Sequence, residues 1–392
     1  MKPLATRLAP YEIFFPLAAL GSIAAIGLTM LALEGRWMPP AGLSLFDWHA
    51  HEMLFGHFPT AFAGVMLTAL PRWTRRPSMP PAMVVTLAFL FLAARFAYLV
   101  APNPVWLWLS PLALAALTAY AGFRIVSAGD RRDYGLLALL AALTTADALF
   151  LVTLPSGDAS LALRLALASA VLIAMVMGGR IAPALTRHLA TQRGRPEAPP
   201  TPRRFEALVF AASIPALAAW VAAPRTSLTA VALGLAAVLH AARLATWRGW
   251  STADRPPFLA LHLGYAFLPL GLATLAAAIL RDDPALVDVA THAFGAGTFG
   301  LMCAAIMTSV VRRYSGKALM VSRLADALVV ALFAAVALRL SAGLLDLPKG
   351  LLHASATAWA LAYAMMLVMV ARDRRLAAPA PGAEGQTLVD EE

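Results

Sequence analysis

Trp48-His49-Ala50-His51-Glu52-Met53-Leu54-Phe55-Gly56-His57 sets three imidazoles and a carboxylate at the mouth of an apolar segment that continues to Leu70. Charge is expensive at membrane depth, so ionisable groups in such a place usually mark a site. Composition supports reading the segment as a membrane span. The 392 residues are 60% hydrophobic and 13% charged, where a soluble chain is about a quarter charged. Apolar runs of about twenty residues, the length that crosses roughly 30 Å of hydrocarbon, recur along the chain. Twelve are predicted, at 11–33, 49–70, 81–101, 104–126, 134–154, 161–181, 205–223, 227–247, 257–280, 286–311, 322–345 and 350–371. The expected fold is an all-α polytopic transmembrane helical bundle.

The formal charge of +10 does not point to nucleic acid, because the basic residues follow the topology. With the N-terminus inside, Arg72, Arg75 and Arg76, then Arg124, Arg131 and Arg132, then the arginines from Arg180 to Arg204, fall on one side. Arg243, Arg248, Arg255, Arg312, Arg313, Lys317 and Arg372 join them, while Arg36, Arg225, Arg281 and Lys349 fall on the other. This is the positive-inside pattern, and it predicts both termini in the cytoplasm of a protein whose main partner is the lipid bilayer. The N-terminal apolar run is long enough to span and lacks a cleavage-type flank, so an uncleaved anchor is expected.

Cys303 is the single cysteine, so neither a disulfide framework nor a thiolate metal cluster is available within one chain. Imidazole and methionine would have to supply any metal ligands. Gly194-Arg195-Pro196-Glu197-Ala198-Pro199-Pro200-Thr201-Pro202 interrupts the longest break between spans. The expected division is six spans with the histidine-rich motif (1–185), a cytoplasmic Pro/Arg-rich linker (186–204), six further spans (205–371) and a disordered tail (372–392). Spans two, six and ten end in similar polar patterns, a faint four-span periodicity.

Topology sorts the histidines into two layers. His49, His51, His292 and His353 begin spans near the outer face, with His57 about 12 Å below His49, whereas His188, His240 and His262 lie toward the cytoplasmic side. On an ideal helix His49, Glu52, Met53 and His57 share one face, and His51 points away. Singly, His188 reads as a solvated loop residue, His353 as facing headgroups, and His240 and His262 as hydrogen-bonded core residues. The cluster at 49–57 reads as functional, with metal, heme and proton path left open. Gly295, Gly297 and Gly300 below His292 form a notch that suits either close helix packing or a flat macrocycle. Arg95, Asp147 and Arg339, in the outer halves of their spans, suit mutual ion pairing, or an arginine holding a heme propionate.

The blocks Trp48-His49-Ala50-His51-Glu52-Met53-Leu54-Phe55-Gly56, Leu67-Thr68-Ala69-Leu70-Pro71-Arg72-Trp73-Thr74, Gly178-Gly179-Arg180, His262-Leu263-Gly264-Tyr265 and His292-Ala293 through Met307-Thr308 resemble the NnrS family of bacterial membrane proteins. That resemblance implies a heme- and copper-containing protein tied to the nitric oxide response of denitrifying and related bacteria. The chain departs from the family pattern at Ser309 and at Tyr314-Ser315-Gly316-Lys317, where a histidine-bearing turn is often found.

The expectation that follows is a heme-copper protein acting in nitric oxide response or nitrosative-stress protection. His49 and His292 are expected as axial heme ligands, and His51, His57 or His353 as copper ligands. Glu52 would accept a ligand's free N–H beside Met53, and Arg95 or Arg339 would hold a propionate. Nitric oxide, or another small diatomic gas, would arrive through lipid. Turnover needs an electron source, and neither a dinucleotide-binding turn nor an iron–sulfur relay is present, so electrons would come from quinol or a separate protein. Binding, sensing and assembly support fit equally well. The rivals are a proton-coupled secondary transporter using Glu52, Asp147 and the histidines, and a membrane scaffold.

Overall fold

The computed structural model describes residues 9–40, 42–100, 103–129, 131–195, 199–315, 322–344 and 349–376. Among them there is no strand, and twelve helices are long and apolar enough to cross a membrane. They run Pro10–Leu33, Leu45–Thr74, Pro81–Val100, Pro104–Ala128, Arg131–Ser156, Ser160–Gln192, Arg203–Ala222, Ser227–Thr246, Pro256–Arg281, Pro284–Tyr314, Arg323–Leu344 and Lys349–Asp373. These are the twelve expected spans, in order. Lys2, Arg7, the linker residues 196–198, Gly316, Lys317 and residues 377–392 of the expected tail lie outside the described residues, and residues 372–376, expected in the tail, continue the last helix.

Local chemistry fixes many of the ends. Proline opens five of the spans, where its missing N–H costs nothing. Ser44 caps the second span by accepting the Asp47 N–H at 3.0 Å, and Asp283 caps the tenth by accepting the Ala285 N–H at 2.9 Å. The sixth span differs from expectation: its helix runs on to Gln192. Residues 186–192 therefore belong to the helix, the break begins later, and His188 sits on an exposed helical surface beside Gln192 rather than in a loop.

Three helices are central. The apolar windows of spans two, six and ten are 89%, 72% and 67% buried, whereas every other span is half buried or less. These are the spans whose ends match in sequence. The surrounding helices turn Phe89, Phe96, Phe123, Leu228 and Val238 outward, as lipid-facing helices do. Between helices that gain nothing from excluding water, close packing supplies the adhesion. At Gly64 an added Cβ would lie 2.6 Å from the Phe15 ring, so a larger residue would push the first and second spans apart.

Two of the central helices carry a widened turn after their first histidine. Glu52–His57 and Ala293–Gly300 are π-helical. In the second span Phe58 donates its N–H to the Met53 carbonyl five residues back, and the next residue, Pro59, has no N–H to offer. In the tenth span the segment coincides with Gly295, Gly297 and Gly300. Such turns insert a residue into the helical count and rotate everything beyond them. The sixth span has no such segment.

Candidate functional site

At the end of the bundle where spans two and ten begin, His49 and His292 face one another. Their rings are 21° from parallel with centroids 6.3 Å apart. The spacing is wider than ring-on-ring contact, which His51 makes with Tyr98 at 3.7 Å and 11°. Each imidazole is oriented through Nδ1. Thr29 donates its hydroxyl to the Ala25 carbonyl at 2.7 Å, which leaves its oxygen to accept from His49 Nδ1 at 3.0 Å. His292 Nδ1 donates to the Asp288 carbonyl at 2.9 Å and lies 3.2 Å from the Asp288 carboxylate. That carboxylate takes Arg339 Nη2 on both oxygens at 2.8 Å. With Nδ1 the donor on both rings, each Nε2 keeps its lone pair, and neither has a hydrogen-bond partner among the described residues.

His51 and Glu52 belong to a different constellation. Arg95 donates to Glu52 Oε1 at 2.6 Å and to Ser110 Oγ at 2.7 Å, and Ser110 donates to Asp147 Oδ2 at 2.7 Å. His51 Nε2 bonds Asp147 Oδ1 at 2.9 Å while its Nδ1, without a hydrogen-bond partner among the described residues, stands 3.5 Å from Glu52, so five side chains from four helices form a near-closed ring. All are buried. Gly56 makes room for it, since a Cβ there would lie 2.6 Å from Arg95 Nη1. The ring holds two carboxylates against one guanidinium, so one further proton, on His51 or on a carboxylate, makes it neutral. Arg95 is thereby committed to Glu52 and Ser110, whereas Arg339 keeps Nη1 without a hydrogen-bond partner.

The expected common face of His49, Glu52, Met53 and His57 is therefore corrected. The π turn sends the residues three ways: His49 toward Thr29 and His292, Glu52 with His51 into the buried ring, and His57 into another contact. His57 bonds the Ala18 carbonyl at 3.1 Å and the Tyr363 hydroxyl at 2.9 Å, so both its nitrogens are used. Met53 is half-buried against the core. His353 lies 3.3 Å from Glu34 at the bundle edge. Among the described residues no three of His, Cys, Asp and Glu gather as a metal-binding group. Gly297 and Gly300 are packing notches, filled by Phe267 and Trp359, and only Gly295 of the three faces open space.

The opposite end holds a network that the sequence signalled only through Gly178-Gly179. Arg243 donates to Glu206 at 2.9 and 2.6 Å, to the Met175 carbonyl at 3.0 Å and to the Tyr265 hydroxyl at 2.6 Å. Tyr265 meets His240 Nδ1 at 2.8 Å, and His240 Nε2 meets Ser213 at 2.9 Å. A Cβ at Gly179 would overlap the Arg243 guanidinium, and one at Gly178 would press on Tyr265. The glycine pair therefore admits a buried cation and a ring. His240 and His262 are hydrogen-bonded core residues, His262 through Nε2 to Thr186 at 2.8 Å.

Where the three central spans meet lies an apolar cavity of about 30 Å³, lined by Phe58, Phe62, Ile173, Met177, Phe299 and Cys303 among others. It exposes no polar surface, so water has nothing to bond there.

No curated protein matches the chain. The family model described as NnrS protein matches residues 5–373, which takes in all twelve spans and both histidine-bearing central helices. The chain belongs to the NnrS family.

Proposed function

We propose that this is a bacterial inner-membrane protein, with both termini in the cytoplasm, that holds heme between His49 and His292 and acts in the response to nitric oxide. The observation that carries the reading is the facing imidazole pair. The two ring centres lie 6.3 Å apart in near-parallel planes, and each ring would offer its Nε2 to the iron. Thr29 and Asp288 hold the Nδ1 protons in place, which keeps both Nε2 lone pairs available and the rings from turning. Arg339 balances Asp288 and has a terminal nitrogen to spare for a carboxylate such as a propionate. Heme held by both imidazoles would supply one-electron chemistry. The chain's own contribution to gas handling is the dry cavity at the meeting of spans two, six and ten.

Copper does not fit in the same way. His51 and His57 are engaged through hydrogen bonds, and His353 faces Glu34, so the described residues offer copper no set of convergent free nitrogens. No step is assigned to it.

The test is the visible spectrum and metal content of purified protein. The wild type is expected to show a Soret band with bound iron, and His49→Ala and His292→Ala each to lose or shift it. Colourless wild-type protein, or an unchanged band in both variants, refutes the reading. The buried ring of Arg95, Glu52, His51, Asp147 and Ser110 favours a second reading, a proton-coupled carrier. Colourless protein that moves solute into vesicles with protons supports it.

A further inference from the structure

The arginine-rich end of the bundle contains a cavity of about 190 Å³, remote in sequence from the His49–His292 pair. Its wall combines the end of the sixth span with the turn after the eighth: Thr186, Arg193 and Arg195 from the first, and Arg248, Trp250 and Ser251 from the second. Of the three guanidiniums only Arg193 is neutralised, by Asp254 at 3.1 and 2.7 Å. Arg195 and Arg248 have no carboxylate partner among the described residues. Arg248 is held there at φ +52°, in the left-handed region that a non-glycine residue adopts at a cost. Ordinary topology charge needs no shared cavity, whereas the left-handed backbone is common to Arg75 at φ +51°.

Behind the wall sits a polar atom with no hydrogen-bond partner among the described residues. Thr186 is 4% exposed and spends its hydroxyl proton on the Ala182 carbonyl, so it accepts from His262 Nε2. His262 is 6% exposed, and its Nδ1 is buried without a partner against Gly249, between Arg248 and Trp250. The tautomer is thus set with a lone pair facing the turn that carries three of the cavity's residues.

We propose that this cavity binds a phosphate-bearing anion, the shared chemistry of an anionic phospholipid headgroup and free phosphate. Two guanidiniums without a carboxylate partner among the described residues supply charge and forked donors, and Ser251 adds a hydroxyl. Trp250 is 67% exposed at the mouth, the position in which an indole sits at a membrane–water boundary. A headgroup bound here would tie the end of the sixth span to the turn between spans eight and nine.

The experiment uses full-length protein, with Arg195→Gln/Arg248→Gln compared against Arg72→Gln/Arg75→Gln. The second pair removes the same charge from two exposed arginines elsewhere. Binding is read by native mass spectrometry and by titration with phosphatidylglycerol vesicles, phosphatidylcholine vesicles and inorganic phosphate. Cations near an anionic surface are worth roughly fivefold in affinity each, a loss both double variants share, and direct charge-assisted hydrogen bonds add at least about tenfold, so the cavity variant is expected to bind phosphatidylglycerol at least about tenfold more weakly than the control. Retention unaffected by millimolar phosphate identifies a lipid headgroup, and displacement by phosphate identifies the free anion. Equal losses in both double variants, or no loss in the cavity variant, overturn the site.

Discussion

Replacing Arg95 by Met should destabilise the protein more than replacing Glu52 by Gln, although both remove one partner of the same 2.6 Å pair. The side chains are 10% and 5% exposed, so water does not compensate either loss. The difference lies in the rest of the ring. Glu52→Gln leaves one guanidinium and one carboxylate, Arg95 and Asp147, bridged by Ser110, with His51 free to remain neutral. The loss is then a charge-assisted hydrogen bond, about 1.5–3 kcal/mol. Arg95→Met leaves two carboxylates around one imidazole, and breaking a buried pair in this way costs about 3–5 kcal/mol. For a chain of this length the unfolding entropy is of order 0.8 kcal/mol per degree, so the expected drops are about 2–4 °C and about 4–6 °C. Cys303, the single cysteine, lines the central cavity and reports unfolding when a thiol-reactive dye reaches it. The double variant should fall short of the sum, because each loss removes the other's unpaired charge. If Arg95→Met melts within a degree of wild type, or above Glu52→Gln, the ring does not hold the charges as described.

Gly179→Ala should lower the melting temperature by several degrees, because the new Cβ displaces the Arg243 guanidinium from Glu206 and Tyr265, an overpacking cost of about 1–3 kcal/mol before the broken contacts are counted. Gly21→Ala, whose Cβ meets nothing within 4 Å, should be neutral or slightly stabilising in the same assay. Thr29→Val removes the acceptor for His49 Nδ1 at nearly constant shape, and should weaken heme retention about 10–100-fold while leaving the melting curve of heme-free protein within two degrees. At the basic end, the hydrogen bond from Arg193 holds the Asp254 carboxyl below the usual carboxylate range. A depressed carboxyl stabilises the fold above its unfolded-state value and stops doing so as pH falls through its folded one, so the contribution present at neutral pH should fade in acid. The carboxylate is exposed, so Asp254→Asn should shift the melting temperature at pH 7 by less than a degree, and less in high salt.

Sequence alone determined the twelve spans, since twenty apolar residues in a row have few soluble alternatives and each run carries its own signal. It also marked His49 and His292 as outer-layer residues on separate spans, and it separated the 49–57 cluster from His240 and His262. Which histidines would meet depended on features that act beyond one helix. The π turn at Glu52–His57 breaks the 100° step on which any face assignment rests, so His57 leaves the face that an ideal helix would share with His49. Arg95, Ser110 and Asp147 reach His51 from three other helices, and Arg243 reaches Glu206 and Tyr265 across three, pairings that no local spacing encodes. Hydropathy is a property of a segment and can be read one run at a time. The pairing of buried polar groups is decided by which helices touch, and that is fixed only when the whole bundle packs.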